Sequence, residues 1–201
     1  MKQKRFLGIY CLGVLLAVAF VGSPVIWGAN DLSLPANSNV FVGRSVDVDL
    51  TLNHDDDVQG LVAVGDVIDP SSAAISNVVA GPAVAAADSL VINLDSDFFL
   101  VGVVMDLDGT EPSFIPANPA GDVVATITFQ GLTALTQTDV VFVDGAHSAD
   151  VGGIGPALDN IVVVGGMSIG AGEGLGLTGG RVTVLDVPAG VYRVGSATLA
   201  P

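Results

Sequence analysis

The sequence predicts an all-β fold, a sandwich or barrel of antiparallel strands behind an N-terminal export segment. Three observations carry this. Val46-Asp47-Val48-Asp49-Leu50-Thr51-Leu52-Asn53 alternates apolar and polar residues in strict order, which in an extended chain sends Val46, Val48, Leu50 and Leu52 to one face. About ten β-rich runs recur between clusters of Gly, Pro, Asp and Asn, the pattern of short strands joined by turns. Helical periodicity is absent downstream of residue 29.

Taken from the N-terminus, residues 1–29 read as a signal peptide with a signal helix. Lys2, Lys4 and Arg5 precede an uncharged run from Phe6 to Val21, and Gly22-Ser23-Pro24 follows. A cut after Ala29 puts Trp27 where a small residue is wanted, and a cut after Gly28 puts Ile26 there, which suits slightly better. The alternative is an uncleaved anchor, but the apolar run falls short of the ~20 residues of a membrane span. Cleavage is therefore the favoured reading, and the destination is secreted or cell surface.

Export changes the chemistry of what remains. All 21 acidic residues face only Arg44, Arg181 and Arg193, a net of 18 negative charges from 21 less three. Such a surface is repelled by phosphate backbones and anionic headgroups, which excludes nucleic acid as a partner and predicts no membrane contact beyond the signal segment. The one cysteine, Cys11, lies in the signal, so the exported part has neither disulfide nor thiol chemistry. With half of the chain's residues apolar, one packed domain is expected to supply the stability.

The elements follow in order. Asp31-Leu32-Ser33-Leu34-Pro35 reads as an edge strand that Pro35 ends. Ser45 to Pro70 reads as two adjacent antiparallel strands, the alternating run and Val58 to Val67, joined by a charged, solvated tip at His54-Asp55-Asp56-Asp57 and closed by Asp69-Pro70. Ser71 to Ala87 holds a short strand around Ile75 to Val79 or a turn of helix, the strand being preferred. Leu90 to Leu94, Phe99 to Met105, Val123 to Phe129, Val140 to Val143, Ile161 to Val164 and Arg181 to Leu185 complete the set. Val123, Ala125, Ile127 and Phe129 alternate inward. Ile161-Val162-Val163-Val164 does not alternate, so this strand is covered on both sides or its outer face meets a loop or a partner; cover within the chain is preferred. The glycines from Gly165-Gly166 to Gly179-Gly180 call for positive φ angles or close approach, and residues 188–201 read as a flexible C-terminal tail.

Candidate chemistry is sparse. Asp95-Ser96-Asp97 and Asp106-Leu107-Asp108-Gly109-Thr110-Glu111 have carboxylate spacings that calcium can use, but neither matches an EF-hand loop, and Asp and Gly are ordinary turn residues. No cofactor and no metal site is expected. A hydrolase needs an activated nucleophile or paired carboxylates. The exported part offers His54 and His147, two glutamates, Glu111 and Glu173, and no cysteine or lysine. His147-Ser148 has no Gly-x-Ser-x-Gly elbow beside it, so His147 reads as an exposed loop histidine, no catalytic residue is assigned and the chain is not read as an enzyme. Sugar-binding sheet faces rest pyranose rings on Trp or Tyr, and past the signal only Tyr192 remains. Phe98, Phe99, Phe114, Phe129 and Phe142 read as core.

These features resemble the cohesin family, the β-sandwich modules that bind dockerin domains in cellulosomes and related extracellular assemblies. The resemblance covers residues 31–187. It rests on the alternating strand, on Val58-Gln59-Gly60-Leu61 running to Asp69-Pro70, on Gly121-Asp122-Val123 through Phe129, and on Leu177-Thr178-Gly179-Gly180-Arg181-Val182-Thr183-Val184 as a closing strand. It implies a nine-stranded jelly-roll sandwich without catalysis, docking a dockerin-bearing protein on a sheet face. On the strand after Gly60 cohesins commonly show polar residues toward the dockerin, whereas this chain reads Leu61-Val62-Ala63-Val64, so no partner-binding residue is assigned. With 14 residues after Val187, no dockerin of its own with its calcium loops is expected. The expected function is a secreted cohesin-like adaptor in extracellular polysaccharide degradation or surface assembly. A carbohydrate-binding module of the same superfamily, with polysaccharide as partner, and a structural cell-surface protein are the alternatives.

Overall fold

The computed structural model describes residues 29–109, 113–149 and 155–187, so the signal segment and the tail of 188–201 lie outside the described residues. Thirteen strands lie among them, not nine. In chain order they are β1 (Asn30–Ser33), β2 (Ser38–Phe41), β3 (Ser45–His54), β4 (Val58–Val67), β5 (Ala73–Ala80), β6 (Ser89–Leu94), β7 (Phe98–Val104), β8 (Asn118–Gly131), β9 (Thr136–Phe142), β10 (Ile161–Val164), β11 (Met167–Gly170), β12 (Leu175–Thr178) and β13 (Gly180–Leu185), with a 3₁₀ turn at Pro82–Val84. Two sheets pack face to face. The first has the order β12-β1-β3-β8-β5; the second runs β11-β10-β4-β9-β13-β2 and is extended by β7 on β4 and β6 on β7.

The alternation in β3 sorts its side chains. Val48, Leu50 and Leu52 are buried, while Asp47 and Asp49 point outward and accept hydrogen bonds from Thr128 (2.7 Å) and Thr126 (2.8 Å), their partners on β8. Between the sheets, the phenyl ring of Phe99 meets that of Phe142 edge-on, with centroids 6.4 Å apart. Gly65 makes room for it, since a Cβ there would stand 2.6 Å from the Phe99 ring.

Four expectations need correction. β3 and β4 follow one another but lie in opposite sheets, so the stretch from Ser45 to Pro70 is an arch and not a hairpin. β3 bonds to β1 and β8, and β4 to β7, β9 and β10, so the two strands share no ladder. The bend is not a solvated tip either. His54 is fully buried, its Nδ1 2.8 Å from the Asp56 carbonyl oxygen and its Nε2 3.1 Å from an Asp122 carboxylate oxygen. Both ring nitrogens thus face oxygens, which ties the bend to β8. Asp55 and Asp57 stay exposed and accept from the backbone N–H of Ala29 and Ala117.

β1 is no edge strand. β12 pairs with it in parallel on one side and β3 antiparallel on the other. The glycine-rich stretch also holds two strands of its own. Gly165 (φ 57°) and Gly166 (φ 77°) form a two-residue hairpin turn between β10 and β11, with the pair of positive φ angles that matches the twist of the flanking strands. The strand expected around Ile75 is present as β5. β2 follows Pro35 on a run too polar to alternate, and it is held by parallel pairing with β13.

The Asp69-Pro70 turn is held by the Asp69 carboxylate, which accepts from Ser71 N–H (3.1 Å), Ser71 Oγ (2.6 Å) and Ser72 Oγ (2.6 Å). The Ser71 hydroxyl first and the Ser72 hydroxyl second hold this carboxyl below its ordinary pKa, against a smaller opposing effect of desolvation. A depressed folded-state value contributes stability that is present above the unfolded value and lost as pH falls through the folded one. The gap in urea midpoint between the wild type and Asp69→Asn therefore narrows as pH is lowered from about 5 to about 2. Leu50→Ala, at a fully buried site, lowers unfolding free energy by about 2–5 kcal/mol in the same assay with unchanged slope.

Candidate functional site

β4 has strands on both edges. β7 pairs with it from Gly60 to Asp66, and the opposite edge is shared by β10, at Val58 to Val62, and β9, at Gly65 to Val67. Its inner face, with Leu61, Ala63 and Val67, belongs to the core. The outer face of β6, β7, β4 and β10 is what remains for a partner. Register places Val62 beside Gly102 and Ile161, and Gly60 beside Val104 and Val163. Val91 lies next to Gly102 on β6. Of the four residues Leu61-Val62-Ala63-Val64, only Val62 is half-exposed on this face.

Gly60 contributes no side chain, and a depression of about 430 Å³ opens here, lined by Val62, Val104, Phe114 and Val163. Gln59, Asp106 and Ser113 are the polar members of its lining. Val104 and Phe114 are 39% and 37% exposed, so the surface is apolar and open to solvent. The two-sided cover preferred for Ile161 to Val164 is therefore only half present. Val162 and Val164 are buried in the core, while Ile161 and Val163 floor this open depression.

The far end of the same face is roofed. Val64 and Leu100 are fully buried yet stand outside the inter-sheet core cluster, on the outer side. The next pair along, Asp66 and Phe98, carries His147: its ring stacks on Phe98 (centroids 4.0 Å apart, 6° between planes) and its Nε2 lies 2.5 Å from Asp66 Oδ1. His147 is thus a clamp on the segment after β9, not an exposed loop histidine. Asn160 holds the other end of that segment. It is fully buried, accepts from Val64 N–H (2.7 Å) and donates to the Val143 carbonyl and Asp144. Sequence reasoning missed both, because their partners lie between 16 and 96 residues away along the chain.

Phe99 and Phe129 are core and Phe142 packs against it, as expected; Phe98 and Phe114 are on the outer face. Of the acidic turns, Asp106 and Asp108 come together with Asp88, their carboxylate oxygens within 4.8 Å of one another. Asp106 accepts from Gly109 N–H, the ordinary work of a carboxylate in a tight turn, while Asp88 accepts from Leu107 N–H and ties that turn to the start of β6. Asp95 accepts from Ser96 N–H and joins no such group, and Glu111 lies outside the described residues.

Neither a family model nor a curated protein matches the sequence. Solved structures match the fold. The seventh ScaB type I cohesin from Pseudobacteroides cellulosolvens superposes with a TM-score of 0.58 at 18% identity, over 83% of this chain and 99% of that one. The third ScaC cohesin of Acetivibrio cellulolyticus, solved in complex with the ScaB dockerin, gives 0.58 at 15% identity over 78% and 99%. The OlpC cohesin of Clostridium thermocellum, solved with the dockerin Doc435, gives 0.59 at 11% identity over 79% and 95%. The β-sandwich of this chain is that of the type I cohesins.

His147→Ala removes the stacking on Phe98 and the bond to Asp66. It costs about 1 kcal/mol of global stability and speeds amide hydrogen exchange in residues 143–148 relative to β8.

Proposed function

We propose that the chain is an exported, non-catalytic adaptor whose open sheet face docks a protein partner of the dockerin type, in extracellular polysaccharide degradation or surface assembly. The observation that carries this is the apolar depression beside Val62, open on a sheet face whose other end is roofed by the protein itself. Solvent-facing valines around such a depression are stabilised when a partner covers them, at roughly 25 cal/mol per Å² removed from water. Two of the similar structures contain a dockerin beside the cohesin. The histidine contacts also fit an adaptor: His54 is engaged by Asp122 and His147 by Asp66, contacts that tie loops to strands. Sugar binding is the weaker reading, because Phe114 is the one aromatic lining the depression among the described residues and it has no polar edge.

The polar residues that cohesins commonly turn toward a dockerin are replaced here by Val62 and its neighbours. Recognition at this site is then dominated by apolar anchoring, with Gln59 and Asp106 supplying the hydrogen bonds. The test is capture of partners from the producing organism's secreted proteins, with the exported protein and its Val62→Asp variant as baits. The expected result is recovery of proteins with dockerin repeats by the wild type and binding at least tenfold weaker by the variant at unchanged melting temperature (about 1.4 kcal/mol). Recovery of no dockerin-bearing protein, or equal capture by both baits, overturns the reading.

A further inference from the structure

The sheet that carries the docking face has an apolar row at its opposite end. β9 pairs with β4 at Val140 opposite Val67 and with β13 at Thr136 opposite Val184, so the last residues of β13 lie beyond the Val67 end of β4, away from the depression at Gly60. Val40, Val182 and Val184 belong to the core, which turns Phe41 and Leu185 to the outer face, where parallel pairing sets them side by side. Leu135 N–H donates to the Val184 carbonyl (2.9 Å), which brings a third apolar residue to the row. Phe41 and Leu135 are 43% and 80% exposed. Leu135 is also the one described residue other than glycine with a positive φ, 60°. Leucine disfavours that left-handed backbone, and here it is kept for a side chain that stands in water.

The chain itself arrives at this row. β13 ends at Leu185, and residues 188–201 follow after Asp186 and Val187. That segment contains Val191, Tyr192, Val194 and Leu199, one arginine, Arg193, and no carboxylate. Residues 30–187 hold all 21 acidic residues against Arg44 and Arg181, a net of 19 negative charges from 21 less two, so the segment carries the opposite sign. The same charge disfavours a second copy on the row, because two such bodies repel one another. Pro188 and Gly190 are turn residues, suited to sending a chain back over the strand it has just left. Seven residues separate Leu185 from Tyr192, a reach of up to about 23 Å, whereas the row is two strand spacings, about 10 Å, wide. A short tether holds a segment at an effective concentration of about millimolar order, so a contact of few side chains suffices.

We propose that the row of Phe41, Leu185 and Leu135 is the docking site of the chain's own segment 188–201, with Tyr192 laid across Phe41 and Leu135. The row is thereby closed to other proteins, and partner binding is left to the Gly60 end of the sheet.

Tyr192 reports on the contact directly. Past the signal it is the one tyrosine and no tryptophan accompanies it, so the tyrosine emission of the exported protein is its own. The measurement is acrylamide quenching of that emission in the exported protein and in its Phe41→Ser, Leu135→Asn double variant, with free N-acetyltyrosinamide as reference. Asparagine accepts a positive φ more readily than leucine and both positions are exposed, so the variant keeps a cooperative melting transition. The expected quenching constant of the wild type is at least about twofold below that of the free compound at every protein concentration, and that of the variant rises to meet it. Nuclear Overhauser contacts between the Tyr192 ring and the Leu135 methyls of the wild type read the same contact without a substitution. Quenching equal to that of the free compound, equal quenching in the two proteins, absence of those Overhauser contacts, or protection that fades on dilution, as docking of a second copy would give, overturns the proposal.

Discussion

The pairing of β4 is the constraint on which the rest of the structure depends. A ten-residue strand with β7 along one edge and β10 then β9 along the other has its main-chain groups committed on both sides. Its inner face is committed to the core as well. The outer face alone is left, and the chain treats its two halves differently. At the Asp66 end the segment after β9 folds back, clamped by His147 on Phe98 and anchored by Asn160 on the main chain of Val64. At the Gly60 end nothing comparable happens among the described residues, and a shallow apolar floor stays open. The open site is the part of one strand that the protein does not cover for itself.

This division explains why the same four residues, Leu61 to Val64, read ambiguously. Two of them point into the sandwich, one is roofed, and one is half-exposed on the surface. Four apolar residues in a row say that a strand is covered on both sides without saying by what. Only the cross-strand neighbours, and the loop that returns from 81 residues away, decide which residue remains for a partner.

The strands themselves were legible, because period-two alternation is a local signal that burial obeys in β3 and, from Ala125 to Phe129, in β8. The inward expectation for Val123 fails, since the register shifts opposite Leu50 and Thr51 and Val124 is buried there instead. The sheets they join were not. The step from β3 to β4 resembles a hairpin in sequence, yet buried His54 and its bond to Asp122 turn the chain across the core. Nothing within ten residues announces that bond, since its partner lies 68 positions away. β2, β11 and β12 were missed for a related reason. They are four-residue strands, two of them in glycine-rich sequence, and they are held in place by neighbours rather than by intrinsic preference. The outer face was legible as a departure from a family pattern, whereas the clamp at His147 and the carboxylate group around Asp88 arise only from folding.

The two parallel pairs have a mechanical consequence. β1 and β2 run beside β12 and β13 in the same direction, the first pair in one sheet and the second in the other. Tension applied between residues 30 and 185 draws these neighbours past one another along their length. Their hydrogen bonds are then loaded together in shear rather than opened in succession like a zipper. Extension along that line is opposed by whole ladders at once rather than by one bond at a time.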